Sequence, residues 1–102
     1  MRIIEFDAEK WKTDISVYDA ILSALEAPHW HGYSLNALID SMVCGDVNIV
    51  EPPYTLRFHK MRKAPEPVRA EVAAIAHHIE EARWEHFNIH GNLPEIVFEI
   101  VD

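Results

Sequence analysis

A single cysteine, Cys44, is the only thiol among 102 residues, so no disulfide can form within the chain. With no secretory leader pattern in Met1-Arg2-Ile3-Ile4-Glu5-Phe6, that scarcity points to a reducing compartment, and a cytoplasmic protein is expected. Glycine is also scarce. None of the three falls in a G-x-G-x-x-G or P-loop pattern, which argues against nucleotide binding. No apolar run is long enough to cross a bilayer. Basic residues number nine against 17 acidic ones, and the net charge of −8 repels nucleic acid and anionic membranes while favouring a basic partner. The one basic cluster, Lys60-Met61-Arg62-Lys63, is too short to outweigh that field and reads as a solvated turn.

What is present suffices for a core. Apolar residues make up 49% of the chain and charged ones 25%, a globular composition, and residues 1–102 are expected to form one domain. Arg2 to Phe6 reads as a strand ending near Asp7, and Asp7-Ala8-Glu9-Lys10 as a turn. Thr13 or Asp14 can cap a helix running to about Glu26, with Ile15, Tyr18, Ile21, Leu22 and Leu25 on its apolar stripe. After the irregular stretch Val47 to Pro53 comes a second strand, Tyr54 to His59. A long helix is predicted from about Pro67 to Trp84 or His86, with Val68, Val72, Ile75, Ala76, Ile79 and Ala82 inward. His86 to Pro94 reads as a return loop and Glu95 to Val101 as a last strand. Strand, helix, helix, strand, helix, strand is the order of an α/β domain with a small parallel sheet.

The stretch from Pro28 to Ser41 is the most distinctive. An aromatic-rich loop tightens at Gly32 and feeds a helix capped by Ser34 and closed near Gly45. Leu35, Leu38, Ile39 and Met42 give that helix one apolar stripe, while Asn36 and Asp40, four apart, share another face. One side anchors and the other presents a carboxylate.

Chemistry beyond binding finds little support. Cys44, Ser34 and Ser41 are the residue types of nucleophiles, but no nucleophile elbow accompanies them, and an enzyme is not expected. His29-x-His31, His77-His78 and His86-x3-His90 could each supply imidazoles, yet zinc needs three or four converging donors and no combined signature appears. His77 and His78 point about 100° apart on a helix, so they are not expected to share an ion, and no metal or cofactor is expected. Glu80, Glu81 and Glu85 lie near the predicted end of the long helix, where acidic groups oppose the macrodipole. That conflict suggests use by a partner, as does the setting of Asp40 among apolar neighbours.

The residues Pro28-x-Trp30-His31-Gly32-x-Ser34-Leu35-Asn36-Ala37-Leu38-Ile39-Asp40, together with Glu81-Ala82-Arg83-Trp84-Glu85, resemble the barstar family. Its members are intracellular inhibitors of the bacterial ribonuclease barnase. The resemblance implies a small three-stranded parallel sheet flanked by helices and a binding surface on the second helix and the loop before it. Asp40 then matches the aspartate that enters the ribonuclease active site in place of a substrate phosphate. Trp30 and His31 match contact residues beside Gly32, and Glu81 matches a glutamate paired with basic residues. Asn36 stands where the family has a second aspartate, and Ile39 where it has tryptophan. The implied partner is a basic microbial ribonuclease of barnase type, bound one to one, with no membrane or direct nucleic-acid binding. An alternative is an interaction module for a basic protein that is not a ribonuclease. Protonating His31 inside a basic pocket would weaken such a complex below about pH 6.

Overall fold

Three short runs rich in β-branched and aromatic residues become three strands: β1 (Arg2–Asp7), β2 (Tyr54–His59) and β3 (Ile96–Val101). In the computed structural model, which covers Met1–Asp102, they form one parallel sheet in the order β1-β2-β3. Arg2 pairs with Tyr54 and Tyr54 with Ile96, so residues of like parity line up across all three strands. Phe6, Leu56, Phe58 and Ile96 point into the core, with Ile4 and Phe98 half-buried beside them. The ring centroids of Phe6 and Phe58 stack 4.9 Å apart, and Trp11 closes over both.

Two long helices cover that face. The first, α1 (Asp14–Ala24), is closed at its start by the Thr13 N–H, which donates to Ser16 Oγ at 3.4 Å. It buries Val17, Tyr18, Ile21, Leu22 and then Leu25, whereas Ile15 is half exposed. Ile15 lies about 90° from the centre of that stripe, in the first turn, which is why its expected burial fails. The helix α2 (Leu35–Ile39) follows the loop, and α3 (Glu66–His90) follows β2. Val68, Val72, Ile75 and Ile79 bury the first half of α3, and Tyr18 ties α1 to it by donating to Glu71 Oε2 at 2.7 Å. No helix is long and apolar enough to cross a membrane.

The expected end of α3 near Trp84 or His86 is corrected: the helix continues to His90. Its apolar stripe runs out after Ile79, but no helix breaker occurs until Gly91, which turns left-handed at φ 82°. There the Gly91 N–H donates to the Phe87 carbonyl, a glycine C-terminal cap. The last three turns therefore carry no fully buried residue.

The other face of the sheet has no helix. Parallel sheets are usually covered on both sides. Here the middle row of the open face is ionic: Arg57 Nε donates to Glu99 at 2.7 Å and its guanidinium lies 3.6 Å from Glu5, which also meets His59 Nε2 at 2.8 Å. Glu5, Arg57 and Glu99 are direct register partners, so the charges alternate in sign across the strands.

Candidate functional site

Ser34 sets the start of α2. Its backbone is extended (φ −146°, ψ 158°) and its Oγ accepts from the Ala37 N–H at 3.1 Å, the capping bond expected of a serine there. Leu38 and Met42 are buried and Leu35 and Ile39 half-buried, so the predicted stripe anchors the helix. The turns then widen. From Asp40 to Cys44 the backbone is π-helical, ending at Gly45 with φ 85°. Asp40 stands at this junction, and such widened turns are frequent at functional sites.

Asn36 and Asp40 are both exposed on the outer side of α2. Neither side chain takes part in any of the hydrogen bonds or ion pairs of the fold. Trp30, 68% exposed, and Tyr33, 50% exposed, stand out from the preceding loop. Tyr33 is absent from the residues singled out by sequence. Its hydroxyl donates to the Asp19 carboxylate of α1, a bond that raises the pKa of the phenol. At Gly32 the loop passes α2 at contact distance, where a Cβ would lie 3.4 Å from that of Ala37.

His31 does not join the exposed set. It is 6% exposed, its Nδ1 donates to the Gly32 carbonyl at 2.8 Å, and its Nε2 meets Ser41 Oγ at 2.7 Å. A carbonyl can only accept, so Nδ1 carries a proton, while the single hydroxyl proton of Ser41 lies within reach of both His31 Nε2 and the Leu38 carbonyl at 3.3 Å. The ring pins the loop to the first turn after Asp40. In the free chain the imidazole is thus turned into the fold, whereas the resemblance implies a contact role for it.

On α3, Glu81 is exposed and its Oε1 lies 3.4 Å from His77 Nε2 and 3.2 Å from His78 Nδ1. The expected clash of Glu80, Glu81 and Glu85 with the helix dipole disappears, because the helix extends to His90 and the dipole acts only within the last turn. Glu80 is engaged by Arg83 at 2.5 Å and by the Trp84 indole N–H at 3.0 Å. Arg83 also donates to the Pro94 carbonyl at 2.6 Å, tying the overhanging end of α3 to the chain that enters β3. Ile39 and Val43 border Ala82, Glu85 and Ile89 across a groove of about 220 Å³, so the α2 surface is continuous with the outer half of α3.

The arrangement suits binding more than catalysis. Cys44 is exposed and reduced. A free carboxylate, a free amide and two exposed aromatic rings on a rigid base suit a complementary, basic protein surface. Among curated proteins none matches the chain significantly. The family profile described as Barstar (barnase inhibitor) matches residues 1–96, up to the first residue of β3. Over nearly its whole length, then, this acidic α/β chain belongs to the Barstar family, whose members are inhibitors and not enzymes.

Proposed function

We propose that the protein inhibits a basic ribonuclease of barnase type by covering its active site, one molecule to one, as a cytosolic immunity protein. The observation that carries this reading is the unengaged carboxylate of Asp40, exposed at the junction where α2 widens. A carboxylate held on a rigid element enters a cationic pocket with little reorganisation, and there takes the place of a substrate phosphate. Asn36, one turn earlier, supplies a neutral donor and acceptor beside it. Trp30 adds apolar area from the loop, and Ile39, half-buried, offers its outer edge where the family has an indole. Gly32 lies in the same loop beside α2, and His31 acts from within as a positioning residue. Glu81 serves a rim cation once released from its histidines. The net charge of −8 steers a basic enzyme toward this surface.

Inhibition assays with purified barnase-type ribonucleases test the proposal, comparing the wild type with Asp40→Ala. An interfacial hot spot is worth about 2 kcal/mol or more, so the variant is expected to bind at least about thirtyfold more weakly. Equal inhibition by both proteins would remove Asp40 from its role. Failure to inhibit any such ribonuclease, with another basic protein bound instead, would favour an interaction module on the same fold.

A further inference from the structure

Midway along α3 the fold gathers a donor set that the separate histidine motifs do not reveal. One ligand atom from each of His77, His78 and Glu81 lies within 4.8 Å of the other two, on the solvent side of the helix. Viewed down the axis, His77 and His78 diverge by about 100°, but Glu81, one turn on, falls at about 40°, between them. The carboxylate thus lies between two rings that diverge on the helix, a third donor that the two histidines alone do not provide.

The spacing matches coordination chemistry. With metal–ligand bonds of about 2.0–2.2 Å, two donors on a tetrahedral centre lie about 3.3–3.6 Å apart. The two imidazole-to-carboxylate separations, 3.4 and 3.2 Å, are already close to that edge. Only the edge between the two rings needs adjustment, and both are exposed and free to turn. Beneath them the backbone is fixed, because Ile75 and Ile79, flanking the cluster, are fully buried.

We infer that His77, His78 and Glu81 form a surface binding site for a divalent transition-metal ion of the zinc class, with water completing the coordination. Two imidazoles and one carboxylate oxygen suit Zn²⁺, Ni²⁺ or Cu²⁺ and supply too few oxygens for Ca²⁺ or Mg²⁺. His86 and His90 form the main rival, their ring centroids 4.6 Å apart, with Cys44 lining the same groove. That group does not converge with a third donor as the first does. The metal site stands whether or not the ribonuclease reading holds.

The test is calorimetric titration of the full chain, free of any affinity tag and stripped of metal, with ZnCl₂. One-to-one binding with a dissociation constant of about 1–100 µM is expected. His77→Ala and Glu81→Gln should each weaken it by about tenfold or more, since even outer-shell partners of a metal are worth that much. The exposed positions of both residues leave the fold intact, which circular dichroism verifies. Cys44→Ser combined with His90→Ala should leave the affinity within about twofold. Absence of saturable binding in this range would overturn the inference. So would binding that survives His77→Ala and Glu81→Gln, or that is lost in the Cys44→Ser/His90→Ala variant.

Discussion

Truncating His31 to alanine separates a residue that builds the binding surface from one that touches the partner. The imidazole is 6% exposed and joins two points of the chain, the Gly32 carbonyl at 2.8 Å and Ser41 Oγ at 2.7 Å. Each such bond contributes about 0.5–1.5 kcal/mol net. Neither end is stranded by the loss: Ser41 Oγ keeps the Leu38 carbonyl at 3.3 Å, and Gly32 is exposed enough for its carbonyl to reach water. Adding the lost packing of a buried ring, His31→Ala is expected to cost about 2–3 kcal/mol of stability. For a domain of this size that is a fall of roughly 10–20 °C in Tm. Urea unfolding of His31→Ala, Ser41→Ala and the double variant reads the coupling directly, with about 1 kcal/mol expected between the pair. If His31→Ala keeps its stability within about 0.5 kcal/mol of wild type yet loses affinity for a ribonuclease, the ring acts at the interface and the positioning role is refuted.

Ser34→Ala removes the cap on the Ala37 N–H and should cost about 1 kcal/mol, read in the same unfolding assay; no change would mean that tertiary packing alone holds α2. On the open sheet face, the hydrogen bond from His59, then the charges of His59 and Arg57, hold the Glu5 carboxyl below its ordinary value of 4.5. A depressed carboxylate contributes stability above its unfolded pKa and loses it as pH falls through the folded one, so Glu5→Gln should be less stable than wild type near pH 6, with the gap narrowing as the pH falls below 4.5. Thermal melts across that range check the sign, and a gap that persists in acid would contradict it.

The strands were readable because their β-branched and aromatic residues sit between clear turn signals, and each lies within a residue or so of its expected bounds. Ser34 and Gly45 were readable for a similar reason, since capping chemistry is local. The end of α3 was not, because the fading apolar stripe marks where packing stops and not where the backbone stops. His31 illustrates a deeper limit. Beside Trp30 and Gly32 it looks like one more exposed ring, and only the return of the chain ten residues later, at Ser41, turns it inward. Nothing in Asp40-Ser41-Met42-Val43-Cys44 announces that the helix widens there. Asp40 and Asn36 came out exposed as expected from their face of α2, whereas the three-way meeting of His77, His78 and Glu81 required the turn between them to be counted.

The charge ladder on the open face of the sheet also bears on how the chain reaches its fold. Its pairs join residues far apart in sequence, His59 with Glu5 across 54 positions and Arg57 with Glu99 across 42. No hairpin exists to start the sheet. Closing each span costs about 3–4 kcal/mol of chain entropy before any strand contact repays it. Refolding should therefore be slow for a chain of this length, in the range of milliseconds to seconds, with α1 and α3 gaining helicity before β2 finds either neighbour. A microsecond single-phase recovery in stopped-flow or temperature-jump experiments would contradict that order.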